Sequence, residues 1–597
     1  MQFNTWHISK PRNIFIMKTI QKTAIVALAC ISAIAVSAAP VNVNQAKAIA
    51  QQFVGTPQFS PGTSAPAQQT LTLNYVAKTS KQMNACYIFN RGTNGGYVIV
   101  SGDDRTPAIL GYSDSGSFDI NDIPCGFEWL LDGYAREIDA LQSDQSLSRA
   151  PSLNSLPNNI NPIMPSIHWN QRSPFNDQCP TYNGSYHCVA GCVSIAMSQI
   201  MFYHKYPTTG QGSISYKTRI NNAGDSIYLS ANFANSTYQW NQMLGTYTSS
   251  SSSTARSAVA KLVKDAGYAC RTTYGATSSG ASSEDAHYAM VNYFNYDKIS
   301  LCLWRKYFIS KSEWENIIYN ELLNGRPVLY FGLTPSNVGH AFVIDGCNTS
   351  GYFHVNWGWN NGADGYFLTT ALNPPTQGDG GAAGGFNREQ GMIIGLRRNV
   401  GGAEAYWGYL ESVTPQSSYT KRGNTVKFNF SYYAVKAATH KDAAAYIGLG
   451  LYNQNDQLID VQYSNGKVSP IKYEYVYTWT FNYTFSSSLA RGTYKLKPVF
   501  STTGTAVSQA QPMHVQADKP QYVSVQNNAT GAYNEILLST RLTGDVNGDG
   551  KVNVSDVTAL INMILGIVST DKSAADVNGD GVVNVSDVTA LINIILG

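Results

Sequence analysis

The sequence predicts a multidomain chain: two α+β units, then an all-β sandwich, then a small helical repeat. Three observations predict it. The chain has 597 residues, which at about 150 residues per domain leaves room for about four units. Residues 401–540 are filled by short runs of alternating apolar and polar residues with turn residues between them. Finally, Asp545–Gly566 recurs as Asp576–Gly597 at an offset of 31, differing only at Lys551/Val582 and Met563/Ile594.

Composition narrows the function. The hydrophobic fraction is 43%, enough for a sizeable core. Charged residues make up only 13%, about half the usual share, while tyrosine numbers 38. A surface poor in charge and rich in Tyr, Ser, Thr, Asn and Gly suits a protein outside the cell. The formal charge is only +3. Charge therefore does not drive partner choice, and nucleic acid is not implied.

Residues 1–39 read as a secretory signal. Lys18 and Lys22 precede an apolar run from Thr23 to Val36, and Ser37, Ala38 and Ala39 supply small residues for cleavage. The signal reads normally from Met17. Cys30 is a weaker candidate for lipid attachment, because the apolar run continues past it. No other apolar stretch reaches about 18 residues, so no membrane span is expected. The eight cysteines left after the signal form no tight disulfide framework.

The first unit, residues 40–150, carries a helix over Ala46–Phe53. Strands follow over Leu71–Tyr75, Tyr87–Asn90 and Tyr97–Ser101, then a helix over Phe127–Leu141. Arg149–Pro165, rich in Pro, Asn and Ser, reads as an exposed, cleavable linker. The second unit, residues 151–400, opens its core with a helix over Cys192–His204. A serine run, Ser249–Ser253, reads as a loop and Trp314–Leu323 as a helix. Strands are expected over Val328–Gly332, Ala341–Asp345, Tyr352–Asn356, Gly365–Thr369 and Met392–Leu396. Gln377–Phe386 is a Gly-rich loop between the last two. In residues 401–540, Val426–Tyr432, Ala445–Tyr452, Tyr475–Phe485 and Tyr494–Phe500 are strands of a sandwich.

Three clusters in the second unit carry chemistry. Gly191-Cys192-Val193 places a thiol at a helix N-terminus, where the helix dipole favours a thiolate. Gly339-His340-Ala341 opens a buried strand. Asn356-Trp357-Gly358-Trp359 closes the next one. An imidazole that takes the thiol proton leaves a thiolate able to attack a carbonyl, and a third group fixes the ring tautomer. A lone Cys or a lone His in these places is usually structural; the three together favour catalysis, because their order and environments match one family.

These residues resemble the streptopain-type cysteine peptidases of the papain clan. The resemblance runs through Trp169-Asn170-Gln171, Pro174-Phe175-Asn176, Gly191-Cys192-Val193, Gln199-Ile200-Met201, His204 and Tyr206-Pro207. It continues through Gly339–Gly346, His354–Trp359 and Gly385-Phe386-Asn387. It reaches back into the first unit, where Gly95–Asp104 is similar to that family's inhibitory propeptide. The implied fold is an α+β papain-like peptidase with an α+β propeptide. Cys192 would be the nucleophile and His340 the general acid and base. Asn356, 16 residues after His340, would orient the imidazole, with Trp357 beside it. The Gly-rich loop would be a mobile segment by the cleft.

One position departs from the pattern. The papain clan places an oxyanion Gln six residues before the nucleophile, and here that residue is Tyr186. A missing donor costs about 2.7–4 kcal/mol of transition-state stabilisation. Gln171 and Gln178 are the candidates for the second donor beside the Cys192 backbone N–H. Cys179 and Cys188 would pair with each other, or Cys188 would trap an oxidised Cys192.

The repeat carries a different chemistry. Asp545, Asn547, Asp549, the Lys551 carbonyl, Asn553 and Asp556 stand at positions one, three, five, seven, nine and twelve of an EF-hand-type loop. Asp replaces the usual closing Glu. Asp576, Asn578, Asp580, Val582, Asn584 and Asp587 repeat the set, and an amphipathic helix follows each loop. Residues 541–597 resemble the type I dockerin, which implies Ca2+ and a cohesin-type partner. No cofactor is expected for catalysis.

The reading is a secreted cysteine endopeptidase made as a zymogen, its substrates proteins or peptides, with a C-terminal attachment module. The alternative is an inactive surface or scaffold protein that keeps the fold, motivated by Tyr186. A carbohydrate-active enzyme in polysaccharide breakdown, suggested by the dockerin-like repeat alone, ranks last. No facing carboxylate pair is legible for glycoside hydrolysis.

Overall fold

The computed structural model describes residues 40–56, 58–59, 70–143, 155–182, 184–220, 226–308, 311–333, 339–361, 363–370, 390–417, 419–421, 424–437, 443–464, 466–471, 477–516, 520–528, 535–539, 544–547, 552–567, 572–575, 577 and 582–596. The signal (residues 1–39), the first part of the linker and the Gly-rich loop lie outside the described residues. Among the described residues, no helix is long and apolar enough to cross a membrane.

The first two units share one sheet. In the N-terminal unit, helix α1 (Val43–Val54) is followed by strands β1 (Leu71–Lys78), β2 (Asn84–Arg91), β3 (Tyr97–Ser101) and β4 (Ile109–Ser113), then helix α2 (Cys125–Ser143). Asn42 caps α1: its side chain accepts the N–H groups of Asn44 and Gln45, and Gln45 reaches back to the Asn42 N–H. The second unit begins with the hairpin β5 (Thr181–Tyr182) and β6 (Tyr186–His187), then helix α3 (Cys192–His204). The hairpin β7 (Ser213–Thr218) and β8 (Ile227–Asn232) precedes helices α4 (Ser253–Ala269) and α5 (Ser283–Asn292). Strand β9 (Leu301–Trp304), helix α6 (Lys311–Leu323) and strands β10 (Val328–Leu333), β11 (Gly339–Cys347), β12 (Phe353–Asn356), β13 (Gly365–Phe367) and β14 (Gln390–Ile394) complete it.

The shared sheet has ten strands in the order β1-β2-β3-β4-β13-β12-β11-β10-β14-β9. The join is β4 against β13, antiparallel, with Tyr366 opposite Tyr112 and Phe367 opposite Gly111. Side chains alternate across a strand, so β11 serves two cores. Phe342 and Ile344 belong to the core built with the N-terminal unit. Ala341 and Val343 belong to the core built around α3.

Three observations revise the expectations. The serine run ends as a cap: the Ser252 hydroxyl accepts the Ala255 N–H at the head of α4. The second half of the linker is bound to the sheet rather than loose. Ile160 and Cys347 exchange backbone hydrogen bonds, and the Met164 N–H bonds Asp345 Oδ2 at 3.0 Å. None of the seven described cysteine side chains, Cys179 and Cys188 among them, forms a disulfide.

The sandwich has one sheet of four strands, over 477–484, 425–437, 406–415 and 514–515, and a larger one running through 443–452, 492–501 and 523–527. Leu410 and Phe428 from the first pack with Ile447, Leu449, Leu496 and Val525 from the second. The sandwich also packs on the second unit. Trp407 stacks on His514 at 3.6 Å and on Phe308 at 5.8 Å between ring centres. Tyr409 meets Tyr307 at 4.3 Å and donates its hydroxyl to the Cys302 carbonyl. In the C-terminal repeat, helices Val554–Ile564 and Val585–Leu596 close over Val546, Val552, Leu560, Ala575 and Leu591.

Candidate active site

Gly191 sets the entry to α3. Its φ of +91° is a left-handed conformation that glycine adopts without strain, and no side chain caps the helix. The amides of the first turn are thus left to act on Cys192, the first helical residue, which is 8% exposed. The approach is stapled from three sides. Cys188 N–H bonds the Pro180 carbonyl, Val189 N–H the Gly275 carbonyl, and Ala190 N–H the Gln171 carbonyl. Ser279 accepts the Gly275 N–H and donates to the Val189 carbonyl at 2.7 Å.

His340 is the second residue of β11 and pairs across the sheet with Gly332. Cross-strand partners share a face. A Cβ on Gly332 would lie 1.9 Å from the Trp129 ring, and its three nearest atoms all belong to Trp129 of α2. The N-terminal unit therefore fills the space directly beside the His340 position. His340 Nδ1 is buried without a hydrogen-bond partner, and burial pushes its pKa below the ordinary value. The neutral ring is favoured in this state, and Nδ1 makes no bond to the Cys192 thiol.

Asn356 ends β12, and its side chain serves the backbone. Nδ2 donates to the Ile167 carbonyl at 2.7 Å, and Oδ1 accepts the Gly358 N–H at 3.0 Å. Trp357 stacks on Phe127 of α2 at 5.4 Å and meets Phe342 at 4.5 Å and Phe367 at 5.3 Å. The Trp357 backbone N–H donates to Asp364 Oδ1 at 2.9 Å. Asp364 is buried beneath the N-terminal unit: Ser113 donates to its carbonyl, and Tyr97 to that of Ala363. Burial pushes the Asp364 carboxyl up to about 7, against a smaller opposing pull from His354. His354 bonds Asp345 at 2.6 Å; burial alone would lower its pKa, but Asp345, Asp364 and Asp114 together outweigh burial and raise it.

The two oxyanion candidates are placed differently. Gln171 is buried, and its carbonyl holds Ala190, two residues before Cys192. The Gln178 amide donates to Ser257 on α4. Tyr186 is 67% exposed on the β5–β6 hairpin, tilted against Tyr182. The hairpin takes up the short spacing to the nucleophile, and the Gln nearest the approach chain comes from 21 residues upstream. Reading along the chain missed Trp129, Gly332 and Asp364. Only the glycine left a signal, as a break in an otherwise apolar strand.

For the repeat, Asp549, Lys551, Asp576, Asn578 and Asp580 lie outside the described residues. Asp545 is 3% exposed, and Asp556 and Asp587 are fully buried. Asp556 accepts the N–H groups of Asn547 and Asn553, and Asp587 that of Asn584. Buried carboxylates in so small a subdomain fit a hard cation with oxygen ligands. Among the described residues no preformed cluster of three or more His, Cys, Asp or Glu ligands is present.

Comparison with known proteins finds three family patterns along the chain. The Peptidase C10 family pattern matches residues 169–367, the Spi protease inhibitor pattern residues 38–138, and the dockerin type I pattern residues 543–596. Streptopain of Streptococcus pyogenes is 36% identical over 328 residues, covering 52% of this chain and 80% of that protein. The thiol protease/hemagglutinin PrtT of Porphyromonas gingivalis is 31% identical over 393 residues, 64% of this chain and 44% of that protein. Among solved structures, a prointerpain A fragment of Prevotella intermedia is 28% identical, with a TM-score of 0.47. It covers 55% of this chain and 99% of that one.

Proposed function

Because the chain belongs to the peptidase C10 family, with streptopain as a relative, and is a thiol protease, we propose that it is a secreted endopeptidase held latent by its own N-terminal unit. Cys192 is the nucleophile and His340 the acid and base. The Cys192 thiolate attacks a peptide carbonyl carbon, and the protonated His340 gives its proton to the departing amine. Water then attacks the thioester, passing a proton to His340, and releases the acid and the Cys192 thiolate, which restores the starting ion pair. The Cys192 N–H and Gln171 hold the oxyanion, Asn356 and Trp357 position His340, and Gln178 is the less favoured donor.

The observation that carries the latency is Trp129 seated beside His340 on a sheet shared with β4. Cutting between residues 143 and 155 frees the N-terminal unit, while the later linker stays pinned to Asp345 and Cys347. Residues 541–597 bind Ca2+ at Asp545, Asn547, Asp549, Lys551, Asn553 and Asp556, and at Asp576, Asn578, Asp580, Val582, Asn584 and Asp587. They attach the enzyme to a cohesin-type partner outside the cell. The test is expression of Cys192→Ala beside the parent chain. The mutant should accumulate unprocessed and cleave no casein; normal maturation of the mutant would remove the autocatalytic part.

A further inference from the structure

Gln199 lies seven residues after Cys192, two turns along α3 and on the same face. It is fully buried, yet neither its Oε1 nor its Nε2 has a hydrogen-bond partner. A buried amide left unmade at both ends is costly, and its retention asks for a reason. Its neighbour supplies one. A Cβ on Gly358 would stand 3.2 Å from Gln199 Nε2 and 2.9 Å from Ile195 Cγ2. Gly358 holds φ at +69° and gives its N–H to Asn356. The helix face that carries the nucleophile thus bears directly on the turn that carries Asn356 and Trp357.

In the latent chain that turn is also held from the other side, by Phe127 of α2 stacked on Trp357. Once α2 leaves, the turn loses that support, keeps Phe342 and Phe367 of the sheet beside Trp357, and bears on α3 through Gly358. We propose that Gln199 is a positioning residue of the mature enzyme. Its amide then bonds the backbone of the Trp357–Trp359 turn and fixes Asn356 and Trp357, and through them His340, relative to Cys192. The inference rests on the catalytic roles proposed above for Cys192 and His340.

The test uses the full chain with Gln199→Met, which keeps the volume and removes the amide. Thermal unfolding is measured on the unprocessed form carrying Cys192→Ala, and kinetics on the matured enzyme. The latent form should be as stable as its parent or more so, because an unpartnered polar group is replaced by an apolar one. In the matured enzyme kcat should fall about 10- to 100-fold, the usual cost of a small misplacement. KM should stay within about twofold, and the acid limb of the kcat/KM profile should move. Unchanged kcat and pH profile would overturn the proposal, as would a destabilised or unfolded latent form, which would make Gln199 a packing residue. An inactive parent enzyme would instead strike the catalytic reading itself.

Discussion

Gly332→Ala should loosen the N-terminal unit although it replaces no residue of that unit. The added methyl would sit 1.9 Å from Trp129 Cζ2 and 2.3 Å from Cε2, so the ring or the strand has to shift. Trp129 is 5% exposed and packed against Phe342, which leaves it little room. Overpacking of this kind costs about 1–3 kcal/mol, or about a 5- to 140-fold weaker hold at 1.4 kcal/mol per tenfold. The assay is amide hydrogen exchange of α2 in the unprocessed Cys192→Ala chain, which reads local opening. Exchange there should quicken by that factor. In a Trp129→Ala background the same substitution should cost nothing, because the atoms it meets are gone. Unchanged exchange in the single variant, or an equal cost in both backgrounds, would refute the seating of Trp129 as the contact that matters.

Three other expectations follow from the described residues. Asp364 has its carboxyl raised to about 7 by burial, so the unprocessed chain should lose stability as pH rises from about 4 to 7, where the unfolded carboxyl ionises and the buried one stays protonated. Asp364→Asn, which keeps the acceptor for the Trp357 N–H, should flatten that part of the pH–Tm curve; an unaltered slope would contradict it. Chelation of Ca2+ should unfold the C-terminal repeat, seen as lost helical dichroism, while casein cleavage continues; a simultaneous loss of activity would argue against independent modules. Trp407→Ala should separate sandwich and peptidase unfolding in calorimetry and cost about 1–3 kcal/mol, since Trp407 bridges Phe308 and His514.

What the sequence made legible was local. Helix α3 was predicted over Cys192–His204 and runs over those residues, because Gly191 and the Lys205 turn punctuate an apolar run. The strand over Tyr97–Ser101 is buried throughout and needs no partner to be recognised. What stayed hidden depends on distant chain. Strand β4, five residues containing a glycine, has weak strand character; it is placed by pairing with β3 on one side and, on the other, with β13, more than 250 residues away. Helix α4 is rich in Ala and Lys with a Gly near its end, so its apolar period was faint. Gln171 and Cys192 are brought together by a bond between backbones at Ala190, which no spacing rule encodes. The Asn356 spacing was visible; that its amide is spent on Ile167 and Gly358 was not.

The central claim is that Cys192 becomes a reactive nucleophile once the N-terminal unit no longer fills the site. A peptide bearing a thiol-directed electrophile, applied to the latent and the matured chain and mapped by mass spectrometry, tests it most directly. Labelling should be stoichiometric at Cys192 in the matured enzyme, with activity lost in step, and slight in the latent form. Labelling spread over other cysteines with activity retained, or equal labelling of Cys192 in both forms, would contradict it.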